Sequence, residues 1–242
     1  MATQVLRQSK LWIRGYDFSG DMNSMSLEYG AELQDDTVFG DDTRSRKGGL
    51  KTVAFSHAGF WNADGTDEPD DILFARVGLG SDVMTVAPET GAAGEAAYIL
   101  NAITGEYNVG AAVGEMLGFT VTGESQSNLV RGTIIHNASQ TSTGSGSEYE
   151  VGAVASGEYL YAALHVLSVS GTDPTLTVKV QSDATGFASA TDRITFTEAT
   201  AVGAQWATPV AGAIADDFWR VNYTVGGTDT PTFEFVVTIG IL

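Results

Sequence analysis

The 242-residue sequence has no cysteine, which excludes disulfides, thiolate zinc sites, iron–sulfur clusters and cysteine nucleophiles together. Stability must then come from packing and assembly. Basic residues are scarce, with 12 Lys plus Arg against 30 acids and a formal charge of −18, so phosphate binding through clustered cations is not expected. Acidity of this size also keeps an abundant protein soluble. No run approaches the eighteen or so apolar residues of a membrane span, and Met1-Ala2-Thr3-Gln4-Val5 lacks the apolar core of a signal peptide. A product made in the cytoplasm, with no membrane partner, is expected.

What remains is rich in Gly and Thr, with short alternating runs between turn residues, the periodicity of strands. The expected fold class is mainly β. Met22 to Leu33 alternates, placing Met25, Leu27, Tyr29, Ala31 and Leu33 on a buried face and Ser24, Ser26, Glu28, Gly30 and Glu32 on a wet one. Leu50 to Trp61 supplies its partner. Leu117, Phe119 and Val121 repeat the pattern against Thr120, Thr122 and Glu124, and Asn128 to Asn137 is the expected hairpin mate after a turn at Ser125 to Ser127. One helix is expected after Asp67, with Pro69 in its first turn, Asp70 and Asp71 at the positive end of the dipole, and Gly78 at its exit.

Residues 138 to 148 have the Ser/Thr/Gly composition of a flexible connector. The expected division is therefore 1–138, a linker at 139–148, and a second β domain at 149–242, read as a sandwich or jelly roll. In that lobe Tyr159 to Ser170 turns at Gly171 to Pro174 into Leu176 to Val180. A second hairpin runs from Trp219 to Val225 through Gly226-Gly227 to Phe233 to Ile239.

No arrangement of reactive residues advertises an enzyme. His57, His136 and His165 are far apart, and no Gly-x-Ser-x-Gly elbow or His-Glu-x-x-His helix accompanies them. The pairs Asp35-Asp36, Asp41-Asp42, Asp70-Asp71 and Asp216-Asp217 suit turns and helix starts better than acid/base work, because neighbours on a strand point to opposite faces. Asn62 to Glu68 carries alternating oxygens, but a bidentate Glu is missing from the last position of a calcium loop. Neither a metal nor a cofactor is expected. Trp12, Trp61, Trp206 and Trp219, with Tyr159, Tyr161 and Tyr223, serve a core or, where exposed, a sugar-stacking platform.

Between the first two strands, Gln34 to Gly49 is too polar to bury, and loops of that length usually carry function. It combines Asp35, Asp36, Asp41 and Asp42 with Arg44, Arg46 and Lys47, around the apolar Val38 and Phe39. The succession Asp36-Thr37, Asp41 to Arg44, Gly49-Leu50-Lys51 and Gly59-Phe60-Trp61, within residues 10 to 137, resembles the major tail tube protein of long-tailed, siphovirus-like bacteriophages. The resemblance implies a tail-tube-like β-sandwich or barrel domain with one flanking helix, joining copies of itself into hexameric rings that stack into a conduit for DNA ejection. It implies that Asp35, Asp36, Val38, Phe39, Asp41, Asp42, Arg44, Arg46 and Lys47 dock on the next ring. Ser24, Ser26, Glu28, Thr120, Thr122 and Glu124 are the expected lumen residues. Six copies would carry six times −18, or −108, per ring, and acids on a lumen repel passing DNA over about one Debye length, ~10 Å at 0.1 M salt. The family further implies tape-measure, tail-terminator and baseplate partners, and a place in the virion tail after assembly in the host cytoplasm. A capsid decoration protein and a carbohydrate-binding β-module are the alternatives.

Overall fold

A computed structural model describes residues 7–62, 65 and 67–242. In chain order the strands begin with β1 (Lys10–Ile13), β2 (Tyr16–Asp17), β3 (Met22–Asp35) and β4 (Arg46–Phe60), followed by helix α1 (Pro69–Phe74). Next come β5 (Asp82–Ala87), β6 (Ala96–Gly110), β7 (Gly118–Ser125), β8 (Val130–Gln140), β9 (Gly144–Ser145) and β10 (Tyr149–Glu150). The last are β11 (Tyr159–Asp183), β12 (Thr191–Thr195), β13 (Gly203–Trp206), β14 (Val210–Ala211) and β15 (Phe218–Ile241). The protein is mainly β, and the ladders β1–β2, β1–β5, β3–β4, β4–β7, β6–β7, β6–β8, β8–β15 and β11–β15 are all antiparallel. Among the described residues no helix is long and apolar enough to cross a membrane.

The chain forms two compact units, and the division differs from the expected one. Among the described residues, those of 21–81 and 101–129 form one unit, interrupting in sequence another built from residues 7–20, 82–100 and 130–242. The expected linker at 139–148 is not a linker. Gln140 still belongs to β8, Gly144 and Ser145 pair with Tyr223 and Asn222 of β15, and Thr143 Oγ1 accepts a hydrogen bond from the Val225 amide. Small residues here serve as an edge segment: Thr143, Gly144, Ser145 and Gly146 each meet β15, the Gly146 amide donating to the Val221 carbonyl.

In the larger unit β11 and β15 pair with each other along nearly their whole lengths, from Leu160–Ile241 to Asp183–Phe218. The expected separate hairpins, 159–180 and 219–239, are therefore two halves of one long ribbon. The ribbon is folded over. Tyr223 and Phe235 lie twelve residues apart, roughly 40 Å on an extended strand, yet their rings are 5.6 Å apart. The register slips near Gly171, which has φ +104° beside Pro231, and Gly227 at φ +119° makes the matching bend opposite. Between the two halves lies one apolar core that includes Leu164, Val178, Trp219, Val221, Phe233 and Phe235. Trp219 Nε1 donates to the Gly152 carbonyl at 2.8 Å, so its polar edge is satisfied inside that core.

The smaller unit is a four-stranded sheet in the order β3-β4-β7-β6, with α1 beside it. The expected β7–β8 hairpin does not form: β7 pairs with β4 and β6, whereas β8 pairs with β6 and β15 in the other unit. The Ser125–Ser127 turn is real but is tied to β6, since Gln126 N–H donates to the Asn101 carbonyl and Asn101 N–H to Ser127 Oγ. The helix is shorter than expected. Glu68, not Asp67, occupies the N-cap position, without a side-chain cap bond; Pro69 opens the helix, and it ends at Phe74, before Gly78.

Candidate functional site: a two-faced sheet with open edges

Register places the expected lumen residues together. Across β3, β4 and β7 the rows are Ser24–Ala58–Thr120, Ser26–Ser56–Thr122 and Glu28–Ala54–Glu124, and directly opposed residues share a face. A bulge at Gly105 then turns Glu106, opposite Thr122, onto the face that Ile103 occupies opposite Glu124. Sequence reading missed Glu106, because the bulge interrupts the alternation of β6. On this face lies an open trough of about 680 Å³ in which Glu28, Glu106 and Glu124 stand among Ser56, Ala54 and Ile103. Among the described residues, no group of three or more His, Asp or Glu side chains is arranged to hold a metal ion.

The other face is apolar and aromatic. His57 lies in the row Met25–His57–Val121–Tyr107, buried beside Phe55 at 6.1 Å and Phe119 at 6.4 Å. Helix α1 lies against this face: Phe74 meets Tyr107 edge-on at 6.0 Å, and the Tyr107 hydroxyl donates to Asp70 at 2.8 Å. Burial, then the hydrogen bond to Asp70, raises the Tyr107 phenol above its ordinary value. Neither nitrogen of His57 has a hydrogen-bond partner, and burial lowers its pKa to about 4. An unsatisfied buried polar group costs about 1–3 kcal/mol. His57→Phe should therefore raise the thermal midpoint of the smaller unit at pH 7; a midpoint lowered in calorimetry would contradict this account of the cluster.

The expected burial of one whole face of β3 is only half fulfilled. Met25 and Leu27 are partly covered, but Tyr29, Ala31 and Leu33 are exposed, because β7 reaches only as far as Ala54 and β3–β4 continues outward as a two-stranded hairpin. The hairpin also takes in residues that were expected in the loop. Asp35 pairs with Arg46 and Gln34 with Lys47, so the loop proper is 36–45. At its base and within it, Asp35 accepts from the Thr37 amide, Asp41 from the Val38 amide, and Lys47 meets Asp36 at 2.9 Å. The Lys47 contact holds the Asp36 carboxyl below the usual carboxylate range, and Thr37 does the same for Asp35. Asp42 and Arg44 remain at the exposed tip. Val38, Phe39 and Leu50, which a stacking contact would need buried, are 67%, 110% and 78% exposed in the single chain.

Both edges of this sheet are open. Among the described residues β3 pairs with β4 alone, and β6 pairs with β7 from Ala102 to Gly110, with one parallel bridge between Thr104 and Val77 and a hydrogen bond from the Gly78 amide to the Thr104 carbonyl on the other side. Unpaired strand edges present rows of N–H and C=O groups that template pairing with another chain.

The remaining candidates serve packing. His165 is fully buried, accepting from the Gly15 amide at Nδ1 and meeting Thr85 Oγ1 through Nε2 at 2.8 Å, and His136 stacks on Phe235 at 4.2 Å. Trp12, Trp219 and Tyr223 are core residues, and Tyr161 and Trp206 face one another half-buried, leaving Tyr159 and Trp61 as the exposed rings of the expected platform. The Asn62–Glu68 run lies partly outside the described residues; Asn62 Nδ2 donates to Glu68 at 2.7 Å.

No known family profile matches the chain, and no curated protein matches it. Among solved structures, the chain is similar to one from the virion of a native gene transfer agent particle, at 16% identity and TM-score 0.38 over 49% of this chain and 92% of that one. It is similar to a chain from the tail of an empty gene transfer agent particle with C6 symmetry, at 14% identity and TM-score 0.36 over 45% of this chain and 80% of that one. It is also similar to the SPP1 Dit protein, described as a paradigm of the hub adsorption apparatus in phages infecting Gram-positive bacteria, at 10% identity and TM-score 0.38 over 98% of this chain and 100% of that one.

Proposed function

We propose that this chain is a structural virion protein, a phage tail tube subunit whose smaller unit joins edge to edge into a ring and whose β3–β4 hairpin docks on the neighbouring ring. One observation carries the reading: a four-stranded sheet with both edges open, an acidic concave face and an aromatic face packed with a helix. Closing copies of that sheet around an axis pairs every edge and removes the aggregation hazard. Six copies of four strands make 24 strands, a circumference of roughly 115 Å and a backbone diameter of about 37 Å at ~4.8 Å per strand, widening as strands tilt. That leaves a lumen for a double helix once side chains project inward. The face that carries Ser24, Ser26, Glu28, Thr120, Thr122 and Glu124 would turn toward it, with Glu106 added.

Electron microscopy of the purified protein tests the assignment, with stacked rings expected. Isolated trimers would favour a decoration protein, and monomers at high concentration would overturn the reading. The lumen assignment has its own test. Glu28→Lys combined with Glu124→Lys should leave rings and tubes intact, since both side chains are exposed, but slow DNA delivery by attracting phosphates. Unchanged ejection kinetics in virions carrying the double variant would remove these residues from the lumen.

A further inference from the structure

The smaller unit has an apolar patch at each end of its strands. At one end, past the Asp35–Arg46 pair, the hairpin tip exposes Val38 and Phe39, with Leu33 beside it at 62%. At the opposite end, where Phe60 pairs with Gly118 and Gly110 also meets Gly118, the β6–β7 loop exposes Val113 at 106%, Met116 at 71% and Leu117 at 40%. This second patch is held in shape. Glu115 N–H donates to the Ala112 carbonyl around Gly114, which adopts φ +94°, and Trp61 N–H donates to the Leu117 carbonyl. Exposed apolar clusters of this kind mark interaction surfaces.

We propose that the β6–β7 loop, residues 111–117, is the seat on which the hairpin tip of another copy docks in the next ring. The proposal rests on the tube reading and names the receiving surface that reading leaves open. Two unlike patches at opposite ends of one strand direction make a head-to-tail contact, which repeats without closing and so generates a filament. Charge agrees with the pairing. Glu115 is the only charged residue in 111–117, while Arg44 at the tip makes no ion pair among the described residues. Asp36 is already matched by Lys47, and Asp35 and Asp41 are engaged with backbone amides. Met116 gives the seat an adaptable side chain against the Phe39 ring.

The full-length chain decides the matter by electron microscopy and sedimentation over a concentration series. Val113→Asp with Met116→Asp should still form rings, but should need at least roughly tenfold more protein to form tubes, the effect of losing a central apolar anchor. Glu115→Arg should weaken stacking, and adding Arg44→Glu should restore it; the swap is a second, fold-neutral route because both side chains are exposed. Normal tubes from the double aspartate variant, with no effect of the swap, would overturn the seat while leaving the tube reading standing. Loss of rings as well would also overturn it, placing the loop in the ring contact. A native chain that forms no rings at all would defeat the tube reading itself.

Discussion

Replacing residues 36–45 with Asn-Gly should give a soluble, folded subunit that closes into rings and never stacks. The register permits the change: Asp35 and Arg46 are directly paired, and a two-residue Asn-Gly turn matches the twist of an antiparallel pair. What disappears is Val38 and Phe39, fully or largely exposed in the isolated chain. Burying both against a neighbour is worth about 1.5–3 kcal/mol each, whereas an exposed ion pair such as Asp36–Lys47 contributes only about 0–1 kcal/mol. The hairpin's effect on stacking should therefore come from its apolar tip. Removing the charges alone, by Asp42→Asn and Arg44→Gln, should shorten tubes modestly, and tubes of normal length from the loop-replaced chain would show that stacking uses another surface.

Acid should unfold the protein in a window set by histidine. Burial lowers His57 and His136 from the ordinary 6.5 to about 4, and His165 to about 3. These residues stay neutral in the fold but bind protons in the unfolded chain below pH 6.5. Their contribution is fully present above pH 6.5 and drains away as the pH falls through 6.5 toward 4. A shift of this size corresponds to about 3 kcal/mol per residue, a large part of the 5–15 kcal/mol that holds a typical domain folded, with His57 acting in the smaller unit and His136 and His165 in the larger. His165 has a geometric reason to resist protonation, because its Nδ1 accepts the Gly15 amide and a proton there would set two donors against each other. Chemical denaturation from pH 7 to pH 4 should show falling stability over that range, and His57→Phe should flatten the decline for the smaller unit. A stability flat down to pH 4 would contradict the burial of these rings.

The β3–β4 pairing and the polar face were legible in the sequence because strand side chains alternate with a period of two, and register does the rest. Ser24, Ser26 and Glu28 could be grouped with Thr120, Thr122 and Glu124 on that ground alone. Glu106 could not, since the Gly105 bulge shifts β6 by one residue and alternation cannot reveal a bulge. The exposure of Tyr29 and Leu33 was equally invisible: an apolar stripe left open on a strand looks the same in sequence as one covered by the chain's own core. Residues 139–148 looked like a linker because serine and glycine suit both flexible chain and close-fitting edge strands, and only the partner Asn222 distinguishes them. The long ribbon of β11 and β15 was read as two hairpins because Gly171 and Gly227 are turn signals in either topology.

Hydrogen exchange on the assembled and dilute protein reaches the edge claim most directly. Outward amides of Met22–Asp35 and of Ile103–Gly110 should exchange rapidly in the monomer and become protected together as particles form, while β4, flanked by β3 and β7, stays protected along Ala54–Phe60 throughout. Assembly without any new protection on those two strands would contradict the account.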